Sequence, residues 1–344
     1  MLDINSFFQL FLVTLGASIA LTPAYIFLSH KLGVLDKPNS AHKSHRKPIP
    51  YLGGFAILTA LILSTILSSR GYLPNIKLSI DFALLIGGGL IALLGLSDDL
   101  KPKSALFRLL AQNLIAILSV SFLYRENRLE VRIFSSPYLN YALSVLWVVA
   151  ICNFVNMFDN HDGSASGVST IILLGIFLQS SIQDQFVVST LALILLSSTL
   201  GFVLWNYPPA KIYLGDSGAM LLGLGIGLLS IQMDTSTINR QVSWAVPLLL
   251  VGTLGTDFTV AVISRIRRGI SPMVGDKAHI AHRLLRLGYT KVEVTYIIWI
   301  TTLIYVCAAI SLNFIGLRVA TLIILFMIAF YLFLIKYFLS LADE

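Results

Sequence analysis

Long apolar runs, each close to the length that crosses a bilayer, follow one another along almost the whole chain. A helix needs about 20 apolar residues to span the hydrocarbon core of a membrane. Only 12% of the 344 residues are charged, about half the share that is usual in a soluble domain. The runs are continuous and do not alternate with polar residues, which excludes a transmembrane β-barrel. The sequence therefore predicts an all-α polytopic membrane protein, a single domain over residues 1–344 with about eleven transmembrane helices. We expect the spans at residues 5–29, 51–69, 80–97, 105–124, 138–157, 165–182, 186–205, 217–233, 242–264, 292–311 and 317–339.

The distribution of Lys and Arg indicates how these spans are oriented. Cytoplasmic loops carry an excess of basic residues, and most of the 24 Lys and Arg residues fall in one set of alternate loops. That set faces the cytoplasm if the N-terminus lies outside, which also puts the C-terminus in the cytoplasm. The same orientation gathers all six histidines and a set of aspartates at span ends onto the cytoplasmic side. We therefore expect a cytoplasmic-face active site that includes Asp98, Asp99, Asp159, Asp162 and Asp216.

The adjacent pair Asp98 and Asp99 closes the third predicted span. An ionised carboxylate near a bilayer is costly, so such a residue is by default a functional candidate. Neighbouring helical side chains point about 100° apart, and we expect one acid to face the ligand while the other orients a base or a cation. A solvated helix end with a local ion pair is the alternative. Together with the other acids on this face, the pair indicates a divalent cation and a phosphate-bearing substrate.

A polar stripe ends the fifth predicted span. Asn153, Asn156 and Asp159 are three residues apart and therefore share one helix face. Carboxamides both donate and accept hydrogen bonds, which suits a nucleobase or a sugar amide. Asp162 and Gly163 then favour a turn. The alternative is hydrogen bonding between helices of the bundle, which explains one such Asn more readily than the whole stripe.

Another acid stands where the eighth predicted span begins. Gly215 and Gly218 flank Asp216 and Ser217 at that point. Mg²⁺ takes one or two protein carboxylates together with phosphate oxygens, so Asp216 is a candidate ligand for such a cation. The alternative is that Asp216 or Ser217 caps the new helix.

The longest basic loop contains a short histidine motif. His279, His282 and Arg283 lie within one helical turn of one another and would form a cationic surface for a diphosphate. Zinc binding by the two histidines is one alternative, although the usual third and fourth ligands are missing nearby. Ordinary anchoring at the cytoplasmic face and attraction of anionic lipid headgroups also explain the Arg residues of this loop.

Two smaller features concern packing. Gly53 and Gly54, at the start of the second predicted span, permit close approach of a neighbouring backbone. Asp257 is an isolated acid inside the ninth predicted span. We expect its side chain to face the helix bundle and to pair with Arg265 or Lys211.

Taken together, these motifs resemble those of the polyprenyl-phosphate N-acetylhexosamine-1-phosphate transferases, from residue 36 to about residue 289. The resemblance implies an integral enzyme of the bacterial inner membrane with a cytoplasmic site. It implies transfer of a sugar 1-phosphate, with GlcNAc-1-phosphate expected, from a UDP-N-acetylhexosamine to undecaprenyl phosphate. UMP is then released, Mg²⁺ or Mn²⁺ is the cofactor, and the product enters cell-envelope polysaccharide synthesis, for example of O-antigen and lipopolysaccharide.

Carried over by motif, the resemblance assigns roles to the candidate residues. Asp98 and Asp99 match the acidic pair that acts on the lipid phosphate and assists metal binding, and Asp216 matches the principal metal ligand. We expect these three to be catalytic and Asp216 and Asp99 to hold the metal. Several positions depart from the usual pattern, since Ala281 replaces a frequent middle His, Asn160 a frequent Gly and Ser164 a usual Leu, and Ala41 falls near a customary Arg. The expected substrate-binding residues are Asn153, Asn156, Asp159, Asp162, His279, His282, Arg283, His45 and Lys211.

Other classes of membrane protein share some of these features. A transporter of an anionic solute or a lipid-linked sugar would also have many spans and a basic inner face, but coupling acids near the midplane and repeated halves are typical of that class. A non-catalytic assembly scaffold would show no metal dependence. We expect contact with membrane lipid and no nucleic-acid partner, and the sequence leaves a homodimer open.

Overall fold

A computed structural model describes residues 4–36, 48–69, 81–131, 133–237, 240–272 and 275–341. Within these ranges the chain is almost entirely helical, with one antiparallel ribbon in which β1 (Leu35–Asp36) pairs with β2 (Ile49–Pro50). The helices are α1 (Ile4–Leu32), α2 (Gly53–Ser69), α3 (Asp81–Leu100), α4 (Ala105–Arg125), α5 (Pro137–Phe158), α6 (Ser164–Ile182), α7 (Phe186–Asn206), α8 (Gly215–Gln232), α9 (Ala245–Leu250), α10 (Gly252–Arg267), α11 (Ile280–Arg286), α12 (Lys291–Ser311) and α13 (Leu317–Ser340).

Eight helices in the described part of the chain are long and apolar enough to cross a membrane. The prediction of an all-α polytopic membrane protein is therefore confirmed. The count of eleven spans stays a prediction, because α2 has only 17 residues and the segment expected as one span over 242–264 is divided. It forms α9 and α10, which are separated at Val251, where the backbone leaves helical geometry. The glycine that follows, Gly252, has low helix propensity and packs directly beneath the ring of Tyr305.

Helix α8 lies at the centre of the bundle, packed against α3 and α5. Every residue from Ser217 to Gln232 is buried. Glycines let α5 approach closely, since a Cβ added at Gly223 would lie 2.5 Å from Cα of Cys152, and one added at Gly227 would lie 3.0 Å from Cα of Val148. Small residues are the usual means of close packing between transmembrane helices. This packing brings the C-terminal ends of α3 and α5 to the N-terminal start of α8.

The start of α2 fixes the loop that leads into α8. The backbone N–H groups of Gly53 and Gly54 donate to the carbonyl oxygens of Tyr213 and Leu214 at 3.2 and 3.0 Å. A Cβ added at Gly54 would lie 2.3 Å from the backbone nitrogen of Gly218. The expected close backbone approach at Gly53 and Gly54 is thus confirmed, and it holds the first turn of α8 in place.

Candidate active site

A cluster of carboxylates forms where α3, α5 and α8 meet. The backbone N–H of Asp216 donates to Oδ1 of Asp99 at 3.2 Å. Two glycines make this approach possible. A Cβ added at Gly95 would lie 2.4 Å from the backbone nitrogen of Ser217, and Gly215 adopts φ +71, a conformation that side chains rarely tolerate. The acids of two separate sequence motifs are therefore in contact.

The carboxylate oxygens of Asp99 and Asp216 are suited to a hard cation. Oδ2 of Asp99 is buried and accepts no hydrogen bond from the described residues. Oδ1 of Asp216 accepts from Nδ2 of Asn156 at 2.8 Å, and no side chain caps α8, so capping does not explain Asp216. Among the described residues no group of three or more His, Cys, Asp or Glu could hold a metal by itself. Mg²⁺ is commonly held by one or two carboxylates and completed by substrate oxygens and water, so the donor set fits that cation.

Arg108 is a functional candidate that the sequence motifs alone did not identify. Its Nη1 donates to Oδ2 of Asp98 at 2.7 Å and lies 3.9 Å from Oδ2 of Asp216. Asp98 also accepts from the backbone N–H of Lys103. Asp98 is therefore paired with the guanidinium of Arg108, while Asp99 faces α8. The signal in the sequence was the basic residue in the first turn of the helix that follows the acidic pair.

The polar stripe of α5 serves two purposes. Nδ2 of Asn153 donates to Oε1 of Gln112 on α4 at 2.8 Å, so this Asn makes the interhelical bond that was the alternative interpretation. Asn156 instead reaches Asp216 on α8. Asp159 ends α5, and its pKa is raised well above the usual value by burial, with Asp216 and Asp99 adding repulsion. A bound cation would relieve this repulsion.

Asp162 joins three segments beside the cluster. Its Oδ2 lies 3.2 Å from Nζ of Lys291 and accepts from the backbone N–H of Ala210 at 3.4 Å. Its own carbonyl accepts from the hydroxyl of Thr295 at 3.2 Å. The carboxylate of Asp162 is thus engaged with α12 and with the loop before α8, which gives it a structural role whether or not it also contacts a substrate.

A cavity of about 1190 Å³ opens next to the cluster, between α4 and α5 on one side and α10 and α11 on the other. Arg108 and Asn156 line it, and both also contact the carboxylates. One wall is apolar, with Leu109, Leu146, Val149, Phe154, Phe258 and Val262. The charged and polar lining residues are Arg108, Asn153, Asn156, Asn160, Arg265, Arg268, Asp276, Lys277, His279, His282 and Arg286. Five cations against one acid, together with the apolar wall, make the lining suited to an anionic ligand that has an apolar portion.

The structure separates the three residues of the histidine motif. His282 lines the cavity, and its Nδ1 makes no hydrogen bond within the part of the chain that the structure describes. Burial together with the neighbouring His279 lowers its pKa to about 4. Arg283 is buried, and its guanidinium donates to the carbonyl oxygens of Phe338 and Leu341 near the end of α13. That arrangement does not favour the predicted contact of Arg283 with a diphosphate. His279 is held on both ring nitrogens, on Nε2 by Arg265 and on Nδ1 by Asp257.

Lys211 and Asp257, two residues singled out from the sequence, do not line the cavity. Lys211 is exposed, with Nζ 5.0 Å above the ring of Trp205. His45 lies outside the described residues. Asp257 is buried and faces the bundle, as expected. The pairing expected for it was wrong, because the carboxylate lies 2.7 Å from Nδ1 of His279, a partner brought near by the loop between α10 and α11.

The chain is similar to known proteins over most of its length. Residues 82–234 match the family described as glycosyl transferase family 4. A probable undecaprenyl-phosphate N-acetylglucosaminyl 1-phosphate transferase of Bacillus subtilis is 31% identical over 93% of this chain and 88% of the relative. A decaprenyl-phosphate N-acetylglucosaminephosphotransferase of Mycolicibacterium smegmatis is 29% identical over 74% of this chain and 70% of the relative. An undecaprenyl-phosphate alpha-N-acetylglucosaminyl 1-phosphate transferase of Yersinia pestis is 27% identical over 78% of this chain and 75% of the relative.

Proposed function

Because this chain belongs to glycosyl transferase family 4, we propose that it transfers N-acetylglucosamine 1-phosphate from UDP-GlcNAc to undecaprenyl phosphate and releases UMP. The relatives named above carry N-acetylglucosamine phosphotransferase names. These names favour the transferase over the transporter that the sequence left as an alternative. The acceptor with eleven prenyl units follows the names of the Bacillus and Yersinia relatives.

One observation carries the proposal. Arg108 lines the cationic cavity and at the same time pairs with Asp98 and approaches Asp216. This double contact of Arg108 supports a single site in which the carboxylate cluster adjoins the cationic cavity. A reaction between two phosphate-bearing substrates needs such an arrangement, with cations around the reacting phosphates and carboxylates that hold a metal ion.

The reaction exchanges one phosphorus–oxygen bond for another. An oxygen of the lipid phosphate bonds to the β-phosphorus of the nucleotide sugar, and the bond from that phosphorus to the bridging oxygen breaks. The electron pair leaves with UMP. Phosphoryl transfer of this kind depends mainly on positioning and charge neutralisation, and the lipid phosphate is already an anion, with a second pKa of about 6. A covalent intermediate on an aspartate is thus not required.

The residues of the chain divide this work. Arg108, Arg268, Lys277 and Arg286 offer positive charge to the phosphates from the cavity wall. Oδ2 of Asp99 and the carboxylate of Asp216 would hold Mg²⁺, or Mn²⁺ in its place. When bound, the ion supplies charge neutralisation for the departing phosphate.

The remaining parts of the two substrates match the rest of the cavity. Asn153, Asn156 and Asn160 line it. The amide nitrogen of Asn153 already donates to Gln112 and Val149, so Asn153 offers an acceptor oxygen, while carboxamides such as those of Asn156 and Asn160 suit a nucleobase or the sugar amide. The apolar wall between α5 and α10 accommodates the first prenyl units. The site opens at the cytoplasmic face of the bacterial inner membrane, with the N-terminus outside and the C-terminus inside.

The test is an assay of UMP release by the purified protein with undecaprenyl phosphate, Mg²⁺ and a panel of UDP-N-acetylhexosamines. We expect UMP from UDP-GlcNAc, and loss of that activity in EDTA and in Asp216→Asn. Asp184→Asn, an exposed residue beyond the far end of α6, is the matched control and should keep full activity. If folded protein releases UMP from no sugar nucleotide, the proposal fails, and flux assays in liposomes would then test the transporter.

A further inference from the structure

Asp257 occupies a buried position between α10 and α11 that the reaction described above does not use. Its side chain is 2% exposed and that of His279 is 5% exposed. Oδ2 of Asp257 lies 2.7 Å from Nδ1 of His279, and Oδ1 accepts from the backbone N–H of Ile280 at 2.8 Å. One carboxylate on α10 therefore holds both the ring of His279 and the first turn of α11.

The other ring nitrogen fixes the position of the proton. Nε2 of His279 lies 3.1 Å from Nη2 of Arg265. A guanidinium has donors and no acceptor, so Nε2 must accept and cannot carry a proton. The proton of the neutral ring is then on Nδ1 and is donated to Asp257. The Asp257 carboxylate and the Arg265 guanidinium together select the Nδ1–H tautomer of His279, as partners of a ring nitrogen commonly do.

The ring of His279 connects to the cationic wall of the cavity, which is formed by Arg265, Arg268 and Lys277. Arg265 is 2% exposed and donates through Nε to Oδ1 of Asp276 at 2.9 Å and through Nη1 to the carbonyl of Pro272 at 3.0 Å. Asp276 also pairs with Arg268, which lines the cavity. A continuous chain of contacts thus runs from the buried Asp257, His279 and Arg265 through Asp276 to Arg268 at the cavity wall.

We propose that Asp257 is a positioning residue, which sets the tautomer of His279 and thereby the placement of the cationic wall formed by Arg265, Arg268 and Lys277. This inference rests on the proposed function for its kinetic consequence only. It also reassigns His279, since a ring bonded at both nitrogens supports the wall, and it leaves His282 as the cavity-lining imidazole whose Nδ1 has no hydrogen-bond partner among the described residues.

Asp257→Asn is the informative variant. An amide of the same shape has one acceptor oxygen, so it can satisfy either Ile280 or His279 but not both. With its NH₂ towards His279 the ring must move its proton to Nε2, which then faces the donor Nη2 of Arg265. Asp257→Ala removes the carboxylate and leaves a small cavity, but it imposes no wrong tautomer.

We expect stability and activity to rank these variants differently. The thermal midpoint should fall in the order wild type, Asp257→Asn, Asp257→Ala, because the amide fills the site. The kcat/KM for UDP-GlcNAc should fall about 10- to 100-fold in Asp257→Asn, the usual cost of losing an orienting partner, and be no higher than in Asp257→Ala. Asp184→Asn should match wild type in both measurements.

An NMR spectrum tests the tautomer of His279 independently of the proposed function. In protein labelled with ¹⁵N-histidine, with His279 assigned by its loss in His279→Gln, we expect a protonated Nδ1 and an unprotonated Nε2 in wild type. An Nε2–H tautomer in wild type would overturn the inference, and so would an Asp257→Asn variant with wild-type kcat/KM. If wild type turns over no UDP-sugar, or if Asp257→Asn does not fold, the wild-type spectrum still decides whether the tautomer assignment stands.

Discussion

The side-chain amide of Asn156 donates to Oδ1 of Asp216 at 2.8 Å and so joins the end of α5 to the first turn of α8. The two residues are 60 positions apart in the chain. This bond orients one carboxylate of the cluster and leaves its other oxygen towards Arg108. The arrangement of the proposed metal ligand therefore depends on an amide that donates rather than on a further acid.

Asn156→Asp replaces that donor by a carboxylate of the same shape. Two acceptors would then face each other beside Asp99 and Asp159, so we expect Asp216 to turn away and kcat/KM to fall about 100-fold or more, the scale for loss of an electrostatic contact at a reacting centre. UMP release measures the effect. Asn127→Asp, on an exposed residue beyond the distal end of α4, is the control, and equal activity of the two variants would contradict this account.

Gly215→Ala tests how closely the start of α8 must approach α3. The added Cβ would lie 2.7 Å from the carbonyl oxygen of Tyr51 and 2.9 Å from Oδ2 of Asp99, at φ +71. We expect a loss of about 1–2 kcal/mol in unfolding free energy from the backbone conformation, and loss of UMP release because the carboxylates are displaced. Gly33 has the same φ and nothing within 4 Å. Gly33→Ala should therefore lose similar stability and keep activity, and inactivity of both variants would refute the specific clash.

Arg283→Lys distinguishes a structural arginine from one that binds substrate. The guanidinium donates to the carbonyls of Ala278, Phe338 and Leu341, and a lysine cannot reach all three. Each buried acceptor left without a donor costs about 1–3 kcal/mol, so the thermal midpoint should fall clearly while the KM for UDP-GlcNAc changes little in protein that remains folded. A raised KM with an unchanged midpoint would instead restore the role predicted from the sequence.

His282 predicts a pH dependence of stability. Burial, together with the nearby His279, lowers its pKa from 6.5 to about 4 in the folded protein. Between these values the unfolded state binds more protons, so the contribution of His282 is present above about pH 6.5 and is lost as the pH falls towards 4. Thermal midpoints of wild type and His282→Gln should therefore diverge in this range, with wild type losing more. Parallel curves would contradict the shifted pKa, and His30→Gln, on an exposed side chain, controls for loss of an imidazole.

The sequence predicted most helices well because the bilayer demands a length of apolar residues that is visible in the chain. The pattern of Lys and Arg also predicted that the acids of the cluster lie on one face, and the structure brings Asp99 and Asp216 into contact. Contacts between residues that are distant in the chain could not be predicted from the sequence. The pairing of Asp257 with His279, the approach of Arg108 to Asp216 and the engagement of Arg283 by α13 all depend on tertiary packing. The division of the ninth span into α9 and α10 at Val251 was also missed.

The most direct test of the proposed reaction follows the phosphorus that lies next to the sugar. UDP-GlcNAc labelled with ³²P in the β-phosphate is incubated with the purified protein, undecaprenyl phosphate and Mg²⁺, and the lipid and aqueous phases are then separated. We predict that the label enters the lipid phase in an amount equal to unlabelled UMP in the aqueous phase, and that Asp216→Asn abolishes both. Label that leaves as UDP, or that never reaches the lipid, would contradict transfer of the sugar 1-phosphate.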